Sequence, residues 1–411
     1  MERASDLLPP MLTGEELDRK LTVLPEITIN PQTDSVATRL TALSDIYSVY
    51  VCNTMSRETY YQFYLALLRS LQKKNSREAI AQHYENNKMM HGQHYTGLLG
   101  GVDSASLLGD SGIGKSTTIS RVIEAIGGNT IIETDEPYSK MIPCLVVSTP
   151  FDASVKGLLY NILLQIDKCL GTNHYEHATK IRASTEMLVG LTSQILQTTT
   201  LLVCIDEIQH VVFHKRGRLL VNCLTNIINC SGVSMFFIGT PECRNFFEQA
   251  MQLARRSLGL QYEAMEFGED FKRVCKVLYS YQYVRNRTEI TDAMLTYLYE
   301  HSQGNVAVLV SLIHDAQQIS ILNGREVLDV EALNEAYKKR LTMLHGYIKP
   351  KPKVKGTSKR AKPKGLEQSV ELLEDAQCEF NISTIIMKAR NEGREIVEFA
   401  KQYIEVEEVR I

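Results

Sequence analysis

The chain has 411 residues, of which 44% are hydrophobic and 23% charged, and its net charge is −3. Such a chain is longer than one typical globular domain, so a main domain with smaller appendages is expected. A membrane-spanning helix is excluded, because no apolar run reaches about 18 residues, and the opening MERASDLLPP lacks the basic-then-apolar order of a secretory leader. The nine cysteines form no CxxC pair, and Cys204 lies inside the apolar run LLVCIDE. That usage fits reduced, buried thiols in a cytoplasmic protein rather than disulfides or zinc ligands.

In chain order, residues 1–34 are Pro-rich and weakly patterned and read as an arm or extended segment. From Ser35 to about Met90 the apolar spacing is helical, as in TYYQFYLALLRSL, which predicts a small helical N-terminal domain and makes 1–94 an N-terminal arm and helical region. From about 95 to 262 short apolar strands alternate with helices. Strands are predicted at 105–108, 143–148, 201–205 and 234–238, and helices at 115–126, 153–169, 185–198, 217–230 and 243–254. Alternating βα units imply an α/β fold, a parallel sheet between helices. Residues 263–346 carry helical segments and no convincing strand, as a helical lid would. Residues 349–364 hold eight Lys/Arg and no acid, whereas 365–411 hold eleven acids and five bases. A basic linker over 347–365 and an acidic helical C-terminal tail over 366–411 are therefore expected.

Gly109, Asp110, Ser111, Gly112, Ile113, Gly114, Lys115 and Ser116 form a complete GxxxxGK[ST] motif between a predicted strand and a predicted helix. In that setting consecutive backbone N–H groups and the helix N-terminus cradle phosphates, with Thr117 in the same first turn. Lys115 is expected to reach the β- and γ-phosphates of ATP, and Ser116 to ligate Mg²⁺. Ninety-one residues past Lys115 comes LLVCIDEIQHV. Its apolar run puts Asp206 at the C-terminal end of a buried strand, to hold Mg²⁺, and Glu207 beside it, to activate water as general base. A further strand, MFFIGT, ends in Thr240, which either senses the γ-phosphate or serves the turn before Pro241. Arg255 and Arg256, in ARRSLG, suit an arginine finger acting on a neighbouring subunit, with nothing to choose between them.

These motifs together resemble the AAA+ superfamily: a P-loop core, DE at the second acidic motif, a polar residue on the following strand and a helical lid. Within it, VSTPFDASVKGLLYNIL, LLVCIDEIQHV, FFIGTPE, ARRSLG and HSQGNVAVLVSLI are similar to the TnsC/TniB family of transposition regulators. The resemblance implies an ATPase that forms a homo-oligomeric ring or filament on double-stranded DNA, and the absence of a second-sensor arginine from its lid makes slow, regulatory hydrolysis the expectation. It also implies partners, namely a transposase and a TniQ-like target selector, and no membrane. DNA contact in such proteins comes from the loop and helix after the second strand, where Lys156 is the first candidate and Thr149 and Ser154 are weaker ones. One departure stands out: Gly304-Asn305-Val306 offers no arginine where many AAA+ lids carry a second sensor. A replication initiator or helicase loader, and more remotely a P-loop kinase of small molecules, remain as other readings.

Overall fold

Short apolar runs become strands and amphipathic runs become helices in the computed structural model, which describes residues 7–76, 80, 104–134, 138–212, 217–244 and 257–340. The strands are β1 (Ser104–Gly109), β2 (Ile132–Glu133), β3 (Lys140–Ser148), β4 (Thr200–Asp206), β5 (Ser234–Gly239) and β6 (Ser257–Tyr262). The helices are α1 (Gly14–Leu21), α2 (Val36–Ala42), α3 (Thr54–Lys74), α4 (Lys115–Ala125), α5 (Val155–Leu170), α6 (His174–Lys180), α7 (Thr185–Thr199), α8 (Gln209–Val212) and α9 (Gly217–Ser231). They continue with α10 (Glu269–Ser280), α11 (Asp292–Ser302), α12 (Val306–Leu322) and α13 (Val330–Arg340), and a 3₁₀ turn (Leu43–Ser48) follows α2.

The sheet order is β2-β3-β4-β5-β1-β6, parallel throughout except for the short antiparallel edge strand β2. Strand side chains alternate between two cores. Val203 and Ile205 of β4 face one core with α5, α7 and α9. Leu202 and Cys204 face the other, with α1, α3 and α4. Burial on both faces explains why these strands read as continuous apolar runs rather than alternating ones. Helix starts follow local chemistry: Ser154 accepts from the Gly157 amide at α5, Ser184 from Met187 at α7, and Asn53 forms a capping box with Ser56 at α3.

The N-terminal region differs from the sequence expectation. Residues from Leu8 to Leu21 are no free arm: Leu8, Leu17 and Leu21 are buried against α3 and α4. Nor does 35–74 form a domain of its own. Phe63 of α3 packs on Phe236 of β5 with ring centroids 4.4 Å apart, while Leu43, Ile46 and Val51 belong to the core of the helices α10–α13. Arg39 is fully buried and pairs with both carboxylate oxygens of Glu326 at 2.6 Å, tying α2 to the turn after α12. The basic linker expected at 347–365 and the tail expected at 366–411 lie outside the described residues. Eight cysteines are described and all are free thiols. No described helix is long and apolar enough to cross a membrane.

One buried cation links the N-terminal region to the sheet layer. Lys74, at the end of α3, is 3% exposed, and its ammonium donates to the carbonyls of Leu196 and Gln197 at the end of α7. Burial pulls its pKa from 10.5 down to about 7. The unfolded chain then binds more protons than the native one between those two values, so this group makes stability rise with pH from about 7 upwards. Below about 7 both states are protonated and the contribution is constant. A gain of about 2 kcal/mol between pH 7 and 9 is expected from it. Lys74→Met should flatten that rise, as measured by urea midpoints at the two pH values. A variant that keeps the wild-type slope would free Lys74 from this role.

Candidate nucleotide site

The phosphate loop is built where β1 leaves the sheet and α4 begins, with Gly114 as the N-cap of α4. Neighbouring strands supply the acids. Asp206 ends β4, paired in register with Ser148, and Thr240 follows β5. A cavity of about 440 Å³ opens there, lined by Ser111 to Thr117, Asp206, Glu207, Gln209 and Thr240 among others. That size is within the range of small-molecule sites.

Lys115 Nζ rests on the loop itself, donating to the carbonyls of Gly109 at 2.6 Å and Asp110 at 2.8 Å. Burial lowers its pKa, opposed by the nearby Glu207 and Asp206 carboxylates. Among the described residues it is the sole cationic side chain lining the cavity. Asp206 shows the converse effect: burial raises its pKa, against hydrogen bonds from the Glu207 amide and the Ser116 hydroxyl. The Ser116 hydroxyl lies 3.4 Å from Asp206 Oδ2. An all-oxygen pair of hydroxyl and carboxylate suits Mg²⁺, a hard cation that keeps part of its water shell. These two residues are therefore fit to hold the ion, whose chemistry would be to neutralise phosphate charge.

Glu207 takes the left-handed region with φ of +57°, an uncommon conformation for a non-glycine residue. Such local strain is concentrated at functional sites. The bend carries its carboxylate out of the sheet, where the Gln209 side-chain amide donates to it. The Ile208 amide donates to the Ile238 carbonyl at 3.0 Å and so resumes pairing with β5. Thr240 bonds the carboxylate of Glu242, which holds that acid below the usual range. A γ-phosphate would have to compete with Glu242 for this hydroxyl.

Three sequence candidates at the loop after β3 come out differently. Lys156 is exposed at the start of α5. Ser154 uses its oxygen to cap α5. Thr149 is only 4% exposed, and both its amide and its hydroxyl donate to the Asp206 carbonyl at 2.9 Å. It braces the end of β4, with both of its donors turned onto that strand. Phe151, by contrast, is 85% exposed in the same loop. Arg255 and Arg256, like most of the helix expected at 243–254, lie outside the described residues.

Sequence reading missed the other half of the cavity. Tyr47, Val49, Val51 and Asn53 line it from the segment before α3, opposite Met265, Val274, Leu278 and Val310 of the lid side. This is an apolar slot beside the phosphate loop. The Tyr50 hydroxyl, buried below it, bonds Ser56 at 2.6 Å and Thr118 at 2.7 Å, joining α3 to α4. The apolar run SVYVCN just before an Asn cap was the available signal, although nothing local says what it faces.

A parallel sheet with a P-loop at the end of one strand and paired acids at the end of another is a P-loop α/β fold. Residues 101–247 match the family AAA_22, an AAA domain. No curated protein matches the chain. Among solved structures the chain is similar to the Aeropyrum pernix ORC1 protein in complex with DNA, at 13% identity over 63% of each chain with a TM-score of 0.43. It thus spans less than two thirds of that protein. It is also similar to Drosophila ORC bound to DNA, at 13% identity over 97% of this chain and 83% of that one, with a TM-score of 0.45. A Thermotoga maritima RuvB matches at 12% identity over 84% of both chains, with a TM-score of 0.38. Likenesses this distant have no bearing on what this chain binds.

Proposed function

We propose that the protein is an ATP-dependent, DNA-binding AAA+ regulator of transposition, which assembles on duplex DNA with ATP and comes apart on hydrolysis. The observation that carries the nucleotide part is the convergence of Lys115, Ser116, Asp206 and Glu207 on one cavity. Lys115 would bind the β- and γ-phosphates, Ser116 and Asp206 the Mg²⁺ ion, and Glu207 would orient and deprotonate the attacking water. The transposition part rests on the sequence resemblance to TnsC/TniB proteins, and a transposase and a TniQ-like selector would be the partners. Arg255 and Arg256 would reach the γ-phosphate of a neighbouring subunit.

A replication initiator would share all of the nucleotide chemistry and differ in its partners. A small-molecule kinase fits less well, because such a lid supplies arginines to the phosphates, whereas the lid residues lining this cavity are chiefly apolar. Measuring particle size with ATP or ADP, with and without duplex DNA, tests the proposal. Growth only with ATP and duplex together supports it; a monomer under all conditions overturns it. Capture of a transposase by the assembled form separates transposition from initiation.

Exposure of Phe151 in the loop after β3 and of Lys156 at the start of α5 supports DNA contact there. An ammonium suits phosphate and an aromatic ring suits a sugar or base face. Lys156→Ala should weaken binding similarly on all sequences and lower the salt slope by about 0.9 for each phosphate no longer neutralised. Binding isotherms across a salt series check this, and an unchanged slope would place the DNA-facing surface elsewhere.

A further inference from the structure

The lid meets the phosphate loop through two hydrogen bonds. Asn305 Nδ2 donates to the Ser111 carbonyl at 2.8 Å, and the Ala307 amide donates to the Gly112 carbonyl at 3.0 Å. A trans peptide unit directs its N–H opposite to its C=O. Holding the carbonyls of Ser111 and Gly112 on the lid side therefore turns the amides of Gly112 and Ile113 the other way. A nest for phosphate needs consecutive amides held in a fixed orientation, and these two bonds fix that of Gly112 and Ile113.

Asn305 has a second task on its other atom. Oδ1 accepts from the Ala307 amide at 3.1 Å and the Val308 amide at 3.3 Å, capping α12. The fit is close on both sides. A Cβ on Gly112 would lie 2.7 Å from Asn305 Oδ1, and a Cβ on Gly304 would lie 1.8 Å from the Met265 carbonyl oxygen. The GxxxxGK[ST] pattern leaves position 112 open; a φ of +84° already favours glycine there, and the lid side chain leaves no room for a Cβ. Gly304, with φ of +77°, lets the chain turn into the Asn305 cap while its carbonyl accepts from the Met265 amide at 3.1 Å.

We propose that Asn305 is a positioning residue that makes the amide orientation of the phosphate loop depend on lid docking. It would couple lid and nucleotide through a neutral carboxamide on the loop backbone, in place of a charged lid residue on the phosphates. The inference rests on reading the cavity as the ATP site. Cap and clamp use different atoms, so substitutions separate them. Asn305→Asp keeps a capping oxygen and replaces the donor by an acceptor facing the Ser111 carbonyl. Asn305→Ser also caps, carries no charge and is too short to clamp.

The experiment titrates the full chain with ATP by calorimetry and measures nucleotide-free thermal midpoints, for wild type, Asn305→Asp, Asn305→Ser and Lys115→Ala. Expected is ATP affinity at least tenfold weaker in Asn305→Asp and severalfold weaker in Asn305→Ser, with both midpoints near that of wild type. Affinity within twofold of wild type in Asn305→Ser would overturn the inference, since a loss confined to Asn305→Asp is charge repulsion. Losses that follow a fallen midpoint would overturn it too, reducing Asn305 to a cap. If Lys115→Ala binds ATP like wild type, or wild type binds none, it is the nucleotide site itself that fails, and the Asn305 inference with it.

Discussion

Lys115→Ala should reduce ATP affinity by two orders of magnitude or more and, with it, abolish any ATP-dependent assembly. Lys115 is the sole cation lining the cavity among the described residues, so no neighbour can replace it. A hydrogen bond to a charged group contributes about 1.5–3 kcal/mol, and the ammonium could make two to phosphate oxygens, which places the loss at roughly 3–6 kcal/mol. Without nucleotide the effect on the fold should be modest, because only the bonds to the Gly109 and Asp110 carbonyls disappear. Calorimetric titration checks this. Affinity within threefold of wild type would remove Lys115 from the site.

Glu207→Gln should leave ATP and Mg²⁺ binding close to wild type while lowering hydrolysis by about 10²–10⁴-fold, the usual worth of a general base. The amide is isosteric with the carboxylate, and the backbone bend at φ of +57° does not depend on the charge. Asp206 and Ser116 are untouched, so the ion should still be held. Assemblies formed with ATP should then outlast those of wild type, since the step that dissolves them is blocked. Phosphate release and dissociation rates measured together decide the matter. Hydrolysis at the wild-type rate would show that another group activates the water.

These two residues could be read from sequence because their surroundings are local. A strand, a glycine-rich turn and a helix start are consecutive in the chain, and a buried strand ending in DE announces its own polarity. Strand ends also came out within a few residues, as with β5 at 234–239 against an expected 234–238. What stayed hidden depends on packing between distant segments. Thr149 turns inward because β3 and β4 pair Ser148 with Asp206, a register no local pattern encodes. In the sequence Asn305 stands out only as part of a lid segment without arginine, and its bond to Ser111 spans 194 positions. Helix α1 is only eight residues long and follows a Pro-rich start, so its apolar side offered too short a period to recognise. The antiparallel strand β2 has two residues, below what alternation can reveal.

The ion pair between Arg39 and Glu326 joins positions 287 apart. A ribosome would have to deliver nearly all of the lid before the first fifty residues could settle into their native place. Closing so long a loop costs little more entropy than closing a shorter one, because that cost grows only with the logarithm of length. It does, however, order events in time. All six strands end before residue 263, so the sheet can form before the ion pair fixes the segment that carries Val49 and Val51. The apolar slot is then finished late in folding, and a chain broken off just before residue 326 would have every residue that lines the cleft but lack the ion pair that ties its N-terminal wall to the lid.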